Sequence, residues 1–155
     1  MAKIDDYLLR ITNASPADLI VINYDILIED INEAVNAHGS RPDVYIENIN
    51  GARDALAELI GALDINSAIY KEIYPLYEYV NTLLMGALIY EKKQNLVDAA
   101  LILGTLREGW VKARESEPGG ASAFKNAPKV YSGLTYGKKG PEDFEDVNPN
   151  SGIKA

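Results

Sequence analysis

The chain reads as an all-α protein, an antiparallel up-down four-helix bundle with an N-terminal arm and an irregular C-terminal tail. Three observations predict this. Apolar residues recur at helical spacing through four long segments, with little alternating pattern of the β kind. Serine, asparagine and proline stand where helices start, and glycine where they stop. The connections are short, which favours antiparallel neighbours.

The first helix is announced by Ser15-Pro16-Ala17-Asp18, with serine as N-cap, proline at the first helical position and an acid in the first turn. Its wheel carries two apolar stripes. Ile20, Val21, Tyr24, Leu27, Ile28, Ile31, Ala34 and Val35 cover an arc of about 140° at about 100° per residue. Leu19, Ile22 and Ile26 form a narrower second stripe, beyond an acidic edge of Asp25 and Glu29. One stripe serves the core; the other requires a second neighbour. Gly39 is placed to end the helix.

The second helix follows Ser40-Arg41-Pro42-Asp43, with Tyr45, Ile46, Ile49, Ala52, Leu56, Leu59, Ile60 and Leu63 on its apolar face. Asp64-Ile65-Asn66-Ser67 is expected to cap the next helix. The third helix is apolar almost all round (Ile73, Leu76, Tyr77, Val80, Leu83, Leu84, Met85, Leu88 and Ile89), which predicts a place in the middle of the bundle. Pro75 is expected to kink or restart it. Asn95 reads as the N-cap of the fourth helix, whose core face is Leu96, Ala99, Ala100, Leu103, Leu106, Trp110 and Ala113. Pro118-Gly119-Gly120 stops it.

Composition divides the chain at the same place. Residues 1–116 hold 10 basic and 18 acidic side chains, and residues 117–155 hold five of each. The body therefore carries the entire net charge of -8. The tail holds half of the 12 glycines and four of the seven prolines, with Phe124, Tyr131, Tyr136 and Phe144 spaced among them. These aromatics predict a tail docked in cis over apolar surface. An acidic body argues against nucleic acid and anionic membranes as partners. The longest apolar run, Leu83 to Tyr90, falls far short of the ~20 residues a membrane span needs, and the acidic N-terminus is unlike a signal peptide. The expectation is a cytoplasmic protein.

Catalytic and metal chemistry find little to work with. There is no cysteine and one histidine, His38, placed at the end of the first helix. No Glu-x-x-His pair of the di-iron type occurs, and Asp25, Glu29 and Glu33 read as a solvated acidic face. No phosphate-binding glycine motif is present. The expectation is a protein with no enzymatic activity, cofactor or metal. Tyr70, Tyr74 and Tyr77, with Tyr79 and Tyr90 nearby, suit either the core boundary or an apolar groove for a partner.

Four patches in register resemble the FliS family of flagellin chaperones. Tyr7 followed by Asn13-Ala14-Ser15-Pro16-Ala17-Asp18-Leu19 and then Asn23-Tyr24-Asp25 resembles that family's opening, Thr-Ala-Ser-Pro-x-Glu-Leu and Leu-Tyr-Asp. Ala52 to Leu63 has the character of its Ile-x-x-Glu-Leu-x-x-x-Leu helix. Leu76-Tyr77-Glu78-Tyr79 is similar to its Leu-Tyr-Asp-Tyr, and Leu106-Arg107-Glu108-Gly109-Trp110 to its Leu-Arg-Asp-Ala-Trp. The resemblance implies a cytoplasmic export chaperone that holds the C-terminal segment of flagellin, prevents premature polymerisation and presents the client to FlhA, the membrane protein of the type III export gate. A FliS-like adaptor or regulator with a different client is the alternative. The candidate partner-binding residues are Tyr7, Leu19, Ile22, Tyr24, Ile26, Tyr77 and Leu83, and the resemblance implies an N-terminal arm that lies in the client groove when flagellin is absent. The sequence departs from the pattern at Pro75, at Ala87-Leu88 where Ala-Asn is common, at Asn23 where an apolar residue is common, and in its 39-residue tail.

Overall fold

The computed structural model describes residues 2–116; the proposed docking of the 117–155 tail lies outside the described residues. Five helices follow in order: α1 (Ala2–Thr12), α2 (Pro16–Ala37), α3 (Pro42–Ala62), α4 (Tyr70–Tyr90) and α5 (Lys93–Ser116). The four helices expected from the pattern are α2 to α5. The fifth is the N-terminal segment, which is helical where only an arm was expected.

The start of α2 forms as its sequence dictates. Ser15 Oγ accepts from the Asp18 backbone N–H at 3.1 Å, and the Asp18 carboxylate accepts from the Ser15 N–H at 3.1 Å. This reciprocal box satisfies two N–H groups that the first turn leaves without partners. The Asp18 carboxyl is held below its usual range by the Ser15 backbone bond and then by the Ser15 hydroxyl and Arg114. At the other end Gly39 takes φ +81°, a left-handed turn that L side chains resist, and the Ser40 and Arg41 N–H groups close onto the Ala37 carbonyl.

Three local expectations are corrected. Asp64 and Ser67 do not cap α4; they accept from the N–H groups of Asn66 and Ile69 and so stabilise the connection itself. Pro75 does not restart the helix, because α4 runs through it from Tyr70 to Tyr90. Asn95 lies inside the first turn of α5, and its amide donates to the Leu83 carbonyl of α4 at 3.2 Å. A Cβ at Gly86 would collide with that amide, so the glycine leaves room for the Asn95–Leu83 bond.

α2 packs against α3 and α5, α4 packs against the same two helices from the other side, and α1 packs on α2. The start of α3 meets the end of α4 where the Tyr45 hydroxyl donates to the Ala87 carbonyl at 2.7 Å. The end of α5 meets the start of α2 where Arg114 pairs with Asp18 at 2.8 Å. The most widely contacted helix is thus α2. α4 keeps Leu76, Tyr79, Ile89 and Tyr90 exposed, so its all-round apolar character does not place it at the centre. Ile46, expected on the apolar face of α3, is also exposed.

The main core draws on Ile20, Leu27 and Ile31 of α2, Ile49, Leu56 and Leu59 of α3, Val80 and Leu84 of α4, and Leu96 and Leu103 of α5. The tyrosine and tryptophan polar atoms at its centre are paired. The Tyr24 and Tyr77 hydroxyls share a hydrogen bond of 2.6 Å, and the Trp110 indole N–H donates to the Tyr24 oxygen at 3.0 Å. Burial pushes the Tyr24 hydroxyl up to about 12 despite these bonds, and it pushes Tyr77 well above its ordinary value.

Candidate functional site: an apolar strip on α2 beneath α1

The second stripe of α2 acquires its neighbour from α1. Ile11, Leu19 and Ile22 form a buried cluster apart from the main core, with Tyr7, Ala14 and Ile26 packed around it. Tyr7, Ile11 and Ala14 stand four and three residues apart, so one side of a short helix and its following turn meets the strip. Of the main packed helix pairs, α1 on α2 is the thinnest. A helix of 11 residues is marginal by itself, so its order depends on this docking.

A polar rim borders the strip. The Tyr7 hydroxyl donates to Glu29 Oε1 at 2.7 Å, and Arg10 pairs with Asp25 at 2.8 Å while its guanidinium lies 5.3 Å from the Tyr7 ring centroid. Burial raises the Tyr7 pKa, and the bond to the Glu29 carboxylate raises it further. Asp25 is shared: Arg107 of α5 also pairs with it, through Nε at 2.5 Å. Asp25 and Glu29 therefore bind helices together, which replaces the expectation of a merely solvated edge. Where α1 turns into α2, an open cavity of about 280 Å³ is lined by Arg10, Asn13, Ala14, Asp18, Ile22 and Arg114.

Of the seven candidate partner-binding residues, the structure brings Tyr7, Leu19, Ile22 and Ile26 together at this strip. Tyr24, Tyr77 and Leu83 lie in the main core instead. Ile11 was missed by sequence reasoning, although its spacing from Tyr7 and Ala14 marks it. His38 accompanies the end of α2, with Nε2 3.0 Å from the Glu91 carbonyl and its ring edge-on to Tyr45. Among the described residues no group of three or more His, Cys, Asp or Glu side chains is arranged to hold a metal ion, and no helix is long and apolar enough to cross a membrane.

Fold and strip together define a helical protein with a second apolar face on α2, apart from its main core and covered by one short helix. Residues 7–117 match the family model described as Flagellar protein FliS, and the chain belongs to that family. Membership implies a role as a flagellar export chaperone, in a family of chaperones and not of enzymes. A search of curated proteins returned no match.

Proposed function

We propose that this protein is a cytoplasmic chaperone that binds the C-terminal segment of flagellin on the α2 strip, prevents its premature polymerisation and delivers it to the type III export apparatus through FlhA. On this reading α2 to α5 are an antiparallel four-helix scaffold, and α1 is an arm that occupies the client groove until the client arrives. The observation that carries it is the second apolar stripe of α2, closed by a helix too short to stand alone. Tyr7, Leu19, Ile22 and Ile26 are the residues assigned to the exchange. Apolar side chains of the client leave water as α1 is displaced, so the work is one of solvation and breaks no bond.

Calorimetry of the full chain with a synthetic peptide of the cognate flagellin C-terminus tests this. One-to-one binding that changes little at raised salt is expected, together with faster hydrogen exchange in α1. Absence of binding overturns the proposal. A pull-down that recovers another protein and no flagellin would assign the same groove to a different client.

A further inference from the structure

The last turn of α5 brings the root of the 117–155 segment to the joint between α1 and α2. Arg114, two residues before the end of α5, lines the open cavity of about 280 Å³ there. Arg10 of α1, Asn13 and Ala14 of the turn, and Asp18 and Ile22 of α2 complete the lining. Helical rise puts the end of α5 only about 3 Å further along its axis. The cavity has apolar side chains in Ala14 and Ile22, and a charged rim of two guanidiniums against one carboxylate. Arg114 donates to Asp18 through Nη1, and Arg10 to Asp25 through Nη2. A guanidinium carries five N–H donors, so both arginines keep donors for a further carboxylate. On a body that is acidic as a whole, this is a local cationic excess.

The 117–155 segment carries the complement. Four of its five acids, Glu142, Asp143, Glu145 and Asp146, flank Phe144, whereas residues 117–140 hold four of its five lysines. We propose that residues 142–146 dock in this cavity, with Phe144 against Ala14 and Ile22 and the flanking carboxylates on Arg10 and Arg114, as an intramolecular latch on α1. An occupant there touches α1, α2 and α5 at once, so it reinforces the thin attachment of α1. A site beside the root of its own ligand segment sees that segment at an effective concentration on the order of 1 mM. An intrinsic Kd near ~0.1 mM then keeps the site filled about nine-tenths of the time. The docking stands apart from any client. Its effect on a client rests on the reading of the strip as the client site, since whatever holds α1 down opposes its displacement.

The test compares NMR spectra of the full wild-type chain with Phe144→Ala and, as a control, Tyr136→Ala. Loss of the Phe144 ring is expected to shift the Ala14 and Ile22 methyl resonances and to speed hydrogen exchange in α1 by about five- to tenfold, the linkage expected of a filled site. Tyr136→Ala leaves both unchanged. Salt at about 1 M, where charges are screened beyond about 3 Å, moves the wild-type signals in the same direction. Unshifted Ala14 and Ile22 in Phe144→Ala overturn the proposal. So does a response confined to the exposed side chains of α4, such as Leu76 and Tyr79, which would put the segment there. Equal effects of the two variants overturn the assignment to Phe144, and wild-type signals that move on dilution assign the contact to a second copy instead. With the flagellin C-terminal peptide, Phe144→Ala binds tighter by the same factor. Unchanged peptide affinity overturns the latch's effect on the client, while failure of the wild-type chain to bind removes the client reading and leaves the docking to the NMR result alone.

Discussion

The main core and the cluster under α1 are built from the two sides of one helix, yet they differ in how firmly each is closed. The core side of α2 faces α3 and α5, each contributing side chains that are wholly buried, and its tyrosine is tied into the Tyr24–Tyr77–Trp110 network. The other side buries Ile11, Leu19 and Ile22 under two to three turns of helix, with an ion pair and a tyrosine–carboxylate bond at its edge. The same apolar chemistry thus yields a joint closed from several sides where helices converge and a thinly closed one where a single short helix lies on top. What separates them is the number of partners, since burial per side chain is similar on both sides.

That difference is most sharply tested by cavities. Leu27→Ala, in the main core, is expected to lower the unfolding free energy by about 2–5 kcal/mol, read from denaturant midpoints. Ile11→Ala removes as buried a side chain, but its global cost is capped by the docking free energy of α1, because the helix can leave while α2 to α5 stay folded. A loss below about 2 kcal/mol is expected, with hydrogen-exchange protection vanishing in α1 alone. Equal losses at the two positions would erase the distinction.

Alkaline titration probes the core side. Unfolded tyrosine ionises near 10, whereas Tyr24 is pushed up to about 12 and Tyr77 is also raised. The unfolded chain therefore releases protons that the folded chain keeps, and stability present below pH 10 falls as pH rises above it. The slope is about 1.4 kcal/mol per pH unit for each tyrosine. Tyr77→Phe is expected to remove one tyrosine's share of it in pH-dependent unfolding curves, while Tyr45, also raised by burial, keeps contributing. Tyr7 adds little to this slope, since undocking of α1 releases its hydroxyl without unfolding the rest.

Smaller effects are expected at the joints. Asp25→Asn weakens the links from α2 to both Arg10 and Arg107, at a cost of about 1 kcal/mol that shrinks with added salt. Gly86→Ala sets the loss of the Asn95–Leu83 hydrogen bond against the higher helix propensity of alanine. The two nearly cancel, and a net change within about 1 kcal/mol is expected from thermal unfolding.

Whatever depends on near neighbours in sequence was legible. The Ser15–Asp18 box spans three residues, and the second stripe of α2 follows from helical periodicity alone. Distant pairing was not. Asn95 has the character of a cap, but its acceptor is a carbonyl twelve residues earlier, on another helix. Asp25 looks solvated until Arg107, 82 residues away, is brought beside it. Tyr24, Tyr77 and Leu83 carry the right chemistry for a groove, and only tertiary neighbours assign them to the core. The helical nature of α1 was obscured by its shortness, while the spacing of Tyr7, Ile11 and Ala14 held the clue.

The doubly paired Asp25 bears on how readily α1 can be exchanged. Its carboxylate is held by one guanidinium from the departing helix and another from α5, which stays. When α1 lifts away, Arg10, already half in solvent, regains its hydration, and Asp25 keeps Arg107. Asp25 is paired at every stage, so this carboxylate adds little to the electrostatic cost of lifting α1. On the proposed reading the pairing of Asp25 is thus indifferent to which chain covers the strip, and the choice of occupant is left to shape and apolar area.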